Sequence, residues 1–143
     1  MALHRLALVF AIALAAPAQA ADPETPTANP MRQMMRELGG GGLEGEALAK
    51  AIAEAEKHPL GSKDNPVRVN MPTGQRAYLG RLRCGTGEAP GYFRAGNVGP
   101  GPFGYIVDLY QVTCPGAEAV QIYMDMYHDG SEPRPVPGFT ITD

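Results

Sequence analysis

The strongest constraint on what this chain can fold into is its pair of cysteines, Cys84 and Cys114, the only two it has. Joined, they close a loop of about 30 residues, and the loss of chain entropy in the unfolded state is then worth about 3.6 kcal/mol. Whether they join depends on the compartment, and the N-terminus speaks to that. His4 and Arg5 give a short positive start, Leu6 to Ala16 is an unbroken apolar run, Pro17 breaks it, and Ala18-Gln19-Ala20 supplies small residues at a cleavage site. Residues 1–20 therefore read as a secretory signal peptide, with the mature chain starting near Ala21. The apolar run is shorter than the roughly 20 residues of a spanning helix. An even cysteine count in an exported chain reads as a disulfide.

With the signal removed, 11 basic and 15 acidic side chains remain, a net charge of −4. That balance argues against a nucleic-acid partner, which calls for a basic stripe. No second long apolar run occurs, so no stable membrane span is expected after cleavage. The chain has 18 Gly and 14 Pro, which points to long loops rather than a helical bundle.

Residues 21–42 read as a flexible leader that carries a short Met-rich helix and ends in a glycine hinge. Residues 43–143 read as a single α+β domain with a Pro-rich tail. In the leader, Asn29-Pro30 is an N-cap followed by proline at the first helical position. Met31, Met34, Met35 and Leu38 then fall on one face, and Gly39 to Gly42 form the hinge. Its Met face suits either docking or partner binding. A second helix is expected from about Glu44 to Lys57, with a narrow stripe of Leu48, Ala51, Ile52 and Ala55. Four strands follow, at Val67–Asn70, Ala77–Cys84, Tyr105–Cys114 and Ala119–Tyr127. The last two are joined by Pro115 to Glu118, short enough for a hairpin turn. Gly85 to Gly104 reads as a long Gly/Pro-rich loop, and His128 to Asp143 as the tail.

Period-two alternation sorts the strand faces. In the fourth strand Val120, Ile122, Met124 and Met126 go to the core, while Gln121, Tyr123, Asp125 and Tyr127 point the other way. If the cysteines bond, Ile106, Asp108, Tyr110 and Val112 face the core. Tyr105, Val107 and Leu109 make the third strand apolar on its other face too, so it is expected to be central and covered on both sides, one by the second helix. Both cysteines end their strands. The second and third strands are therefore parallel neighbours or cross between layers.

The segments GSKDNPVRV, YLGRLRCGTG, DLYQVTCPG and MDMYHDG resemble small exported proteins of unknown function from Gram-negative bacteria, over roughly Leu60 to Phe139. The resemblance implies export and brings no activity or functional residue with it.

Three groups of residues are candidates for chemistry. Arg81 and Arg83 on the second strand, with Tyr123, Asp125 and Tyr127 on the fourth, form the favoured binding set. Arginine and tyrosine are enriched in interfaces, and arginine suits a carboxylate or phosphate. Asp108, a carboxylate in an apolar strand, needs a partner such as Arg76 or Arg94; set against Asp125 or Glu118 it offers the two-carboxylate arrangement of a glycosidase. Asp125, His128 and Asp129 cluster in sequence, but Asp125 and His128 are an odd number apart and point to opposite faces unless the strand bends after Tyr127. No metal-ligand spacing and no cofactor motif occurs, so neither metal nor cofactor is expected. GNVGPGPFG lacks the Lys-Ser/Thr and following helix of a phosphate cradle.

Together these features predict an α+β fold, N-terminal helices followed by a disulfide-bonded mixed sheet of about four strands. The expected role is an exported, periplasmic or secreted, non-enzymatic binding or accessory protein, with an envelope protein or a small anionic ligand as partner. The alternative is a cell-envelope hydrolase using Asp108, Asp125 and His128.

Overall fold

The computed structural model describes residues 29–143; the signal peptide expected at residues 1–20 and the first residues of the expected leader lie outside them. Asn29 caps α1 (Pro30–Glu37), its side chain accepting from the N–H groups of Met31 and Arg32. The same side chain donates to the carbonyls of Met126 and His128, 2.6 and 3.2 Å away, so one residue both starts the helix and ties it to the sheet. Met31 and Met35 pack inward, whereas Met34 and Leu38 are exposed. The expected hinge is pinned at one end. A Cβ on Gly42 would lie 2.2 Å from the Tyr105 ring, so only glycine lets the backbone pass there. The Leu43 N–H donates to the Phe103 carbonyl beside it.

Next come α2 (Gly45–Ala55), β1 (Val67–Arg68), α3 (Met71–Arg81), β2 (Leu82–Arg83), β3 (Gly91–Pro100), β4 (Ile106–Thr113), β5 (Val120–Asp125) and β6 (Thr140–Ile141). The main sheet has the order β1-β5-β4-β3, with β1 parallel to β5 and the other pairs antiparallel. β2 and β6 form a separate two-stranded sheet. The β4–β5 hairpin and the Cys84–Cys114 disulfide, Cα atoms 5.8 Å apart, agree with the sequence.

Two expectations are corrected. The strand expected at Ala77–Cys84 is instead the end of α3 followed by the two residues of β2. Gln75, Tyr78 and Leu79 recur at i, i+3 and i+4 and all three are buried, which is helical periodicity. Pro72 falls in the first turn, where its missing N–H costs nothing. Gly74 and Gly80 mask the pattern by lowering helix propensity; Gly74 is there because α3 lies close to Val69, 3.3 Å from where its Cβ would be. The second correction is the loop at Gly85–Gly104, which holds β3. Its glycines serve two register shifts, between Arg94 and Gly96 and between Asn97 and Pro100. The cysteine-bearing segments cross between layers: Cys84 follows β2 and Cys114 follows β4, so the disulfide joins the α3 layer to the centre of the sheet.

The sheet separates two clusters. On one side α3, β2 and the tail close over Val67, Tyr110, Val112, Ile122 and Met124. The Pro-rich tail contributes Val136 and Phe139 to this core. On the other side α1 and α2 cover Phe103, Tyr105 and Tyr127. β4 is central as expected, but its second face is covered only in part, since Leu109 and Gln111 remain half-buried. Val120, expected in the core, is exposed at the hairpin end. Among the described residues no helix is long and apolar enough to cross a membrane.

Candidate functional site

The register of β4 and β5 decides which polar side chains meet. Asp108 lies opposite Met124, and paired residues point to the same face. Asp125, one residue on, therefore points to the opposite face. The two buried carboxylates flank the sheet rather than one another, so Asp108 and Asp125 do not form the two-carboxylate arrangement, and Glu118 is exposed in the turn at the end of the hairpin remote from Asp108.

Asp108 faces α3. Its Oδ2 accepts from Gln75 Nε2 at 3.0 Å, and Gln75 Oε1 accepts from the Tyr110 hydroxyl at 3.0 Å. Its Oδ1 accepts from Arg94 Nη2 at 2.6 Å. Arg94 comes from β3, where it pairs with Tyr110 across the ladder. The carboxylate is 6 % exposed and the arginine 48 %, so the pair runs from the interior to the surface. The hydrogen bond that Arg94 donates to Asp108 raises the Arg94 pKa, fixing the guanidinium as a cation. Burial, then the Asp108 charge, pushes the Tyr110 hydroxyl up, so it stays a neutral donor, while Arg94 and Arg76 pull the other way. Arg76, next to Gln75 on α3, is exposed and has no ion pair among the described residues. Tyr92 closes the rim, its ring edge-on to Tyr110 at 6.3 Å and 40 % exposed.

Asp125 faces the helices α1 and α2. Its Oδ1 accepts from the Tyr127 N–H at 2.9 Å, and its Oδ2 lies 3.3 Å from His128 Nε2 without hydrogen-bond alignment. β5 ends at Asp125, and the bend that follows brings His128 back to it. Phe103 stands edge-on to His128 at 4.9 Å, Tyr105 stacks on Tyr127 at 4.8 Å, and Asp125 is fully buried. Burial raises the pKa of both tyrosines. The outer ring of this region is a network the sequence reading missed. Arg134 bonds Glu132 and Glu56, and Arg68, over the Phe103 ring, reaches both carboxylates.

The favoured binding residues are not brought to one face. Arg81 ends α3 and donates to the Glu132 carbonyl at 2.9 Å. Arg83 is in β2 and donates to the carbonyls of Gly80 and Leu82. Neither belongs to the main sheet, because the segment that carries them is helix and minor strand. Tyr123 is half-buried on β5, while Asp125 and Tyr127 are buried behind α1 and α2. Asp129 leaves the cluster to bond Arg32 and the Asn29 N–H.

Among the residues absent from the sequence-based set, Gln75 matters most. Its signal was the helical spacing with Tyr78 and Leu79. A surface depression of about 600 Å³ beside Met71 and Thr73 has no charged side chain among its described lining residues. A smaller one of about 260 Å³ gathers Glu54, His58 and Asp64, but Glu54 bonds Lys57, and among the described residues no group of three His, Cys, Asp or Glu is arranged to hold a metal.

Comparison with protein-family models, with curated proteins and with solved structures finds no match to the chain. The functional reading therefore rests on the geometry.

Proposed function

We propose that this is an exported, non-enzymatic binding protein that recognises an anionic group through Arg94, Arg76 and Tyr92. The observation that carries the reading is the Arg94–Asp108 pair, a buried carboxylate orienting a half-exposed guanidinium. Asp108 occupies one edge of the fork, which leaves Arg94 donors for a carboxylate or phosphate at little entropic cost. Arg76 supplies the excess charge, since Arg94 and Asp108 neutralise each other. Export is supported by the signal pattern at residues 1–20 and by the disulfide, which suits a periplasmic or secreted protein. The hydrolase alternative loses support, because Asp108 and Asp125 lie on opposite sides of the sheet and the Asp125–His128 pair is sealed from solvent.

N-acetylglutamate amide is the probe, titrated into the disulfide-bonded protein while amide nitrogen–proton spectra are recorded. Shifts at Arg94 and Tyr92 are expected, with affinity weakened about fivefold by Arg76→Ala, the loss of one exposed charge contact. Arg83→Ala is the control and leaves binding unchanged. Shifts lost with Arg83→Ala but kept with Arg76→Ala would move the site to β2, and no shifts at all would end the anion reading.

A further inference from the structure

The two edges of the main sheet are unlike. β1 is two residues long and lies in the core, whereas β3 runs ten residues and is exposed over most of its length. Among the described residues no group outside the β3–β4 ladder hydrogen-bonds to the backbone of residues 91–100. Natural edge strands are blunted by bulges, prolines or lysines. The second half of β3 is blunted in this way, with both register shifts and Pro100. Gly91 to Arg94 has regular pairing with Thr113 to Tyr110 and no bulge, lysine or proline, and its one charge, on Arg94, is engaged by Asp108. Its side chains alternate. Tyr92 and Arg94 lie on the α3 side with Tyr110, on whose hydroxyl the charges of Arg94 and Arg76 both act; Phe93, 63 % exposed, lies on the other side with Leu109.

We infer that Gly91–Arg94 takes an extended peptide as a fifth strand, one whose residues alternate between acidic and apolar. Main-chain bonds to β3 give the affinity, and the alternate side chains give the specificity. The acidic residues meet Arg94 and Arg76, and the apolar ones meet Phe93 and Leu109. Charge decides the occupant. Arg94 and Asp108 are the only charged side chains in residues 91–113 and cancel, which leaves Arg76, without an ion pair among the described residues, as the cation acting on Tyr110. The inference rests on the reading of Arg94 and Arg76 as recognition residues.

The test uses the disulfide-bonded protein and a blocked octapeptide of alternating valine and glutamate. Three companions are titrated beside it: the same peptide N-methylated at every residue, a valine–lysine version, and N-acetylglutamate amide. The amides of Gly91 to Arg94 are expected to shift. N-methylation, which removes main-chain donors, should weaken binding about tenfold, and Arg76→Ala about fivefold. Equal binding of the N-methylated peptide overturns strand addition and leaves the anion site standing, as does binding of the amide without the octapeptide. Equal binding of the lysine peptide overturns the charge match. If neither the octapeptide nor the amide binds at millimolar concentration, the proposed function falls with the inference.

Discussion

Asp108 and Asp125 sit on neighbouring strands, both buried, and the molecule treats them in opposite ways. Asp108 hands its charge outward: one oxygen holds Gln75 inside and the other holds Arg94, which reaches solvent. Asp125 turns its charge inward, to the Tyr127 N–H and to His128, under two stacked or edge-on aromatic pairs. A buried carboxylate is thus no sign of function in itself. What distinguishes the two is the partner: a cation with free donors at the surface is able to meet a ligand, and a sealed histidine is not.

If that contrast is right, the two carboxylates differ more in their effect on stability than their similar burial suggests. Asp125→Ala is expected to cost about 3 kcal/mol, because it leaves the buried Tyr127 N–H without its acceptor and removes the carboxylate that lies 3.3 Å from the His128 ring. Urea unfolding of the oxidised protein measures this, and a cost under about 1 kcal/mol would mean that the Asp125 cluster does not hold the fold. Asp108→Asn should cost roughly half as much, about 1.5 kcal/mol. Asparagine keeps an oxygen for Gln75, and Arg94 turns to water. Were Asp108→Asn the more damaging of the two, the contrast would be reversed and Asp108 would be the structural residue.

How far the sequence revealed these sites follows from what each one depends on. Alternation along β4 and β5 gave the hairpin, the central strand and the opposite facing of Asp108 and Asp125, since period two is a local property. The Arg94 partner was legible as one of two arginines near a lone buried carboxylate. Gln75 was not, because Gly74 and Gly80 lower the helix propensity of α3 and Tyr78, Leu82 and Cys84 are spaced as on one face of a strand. β3 was hidden in the same way: its glycines serve bulges, and bulges resemble loops in a sequence read without its partner strand. The Asp125–His128 contact required the chain to bend just after β5, which alternation alone forbids. The set of Arg81, Arg83, Tyr123, Asp125 and Tyr127 depended on a strand that is not there.

The smallest expected effect tests whether the Asp125 side also answers to acid. Glu56 is held down to about 2, chiefly by its hydrogen bond from Arg134, with burial opposing and Arg68 assisting. Burial pushes Glu132 up, but the side-chain and backbone bonds from Arg134, with its charge and that of Arg68, outweigh it, so this carboxyl too is below its ordinary value of 4.5. Groups depressed in the folded state contribute stability above their unfolded value and lose it as protons bind the folded form. Stability from this network is therefore full above pH 4.5 and declines as the pH falls toward 2. Glu56 and Arg134 are partly exposed and screened, so the contribution is about 1 kcal/mol. Arg134→Ala should remove that amount at neutral pH and flatten the acid limb of a stability–pH profile. A profile unchanged by Arg134→Ala would detach the network from the fold. The Arg94–Asp108 pair would then be the ion pair that matters, and the contrast between the two sides of the sheet would rest on Asp125 and His128 alone.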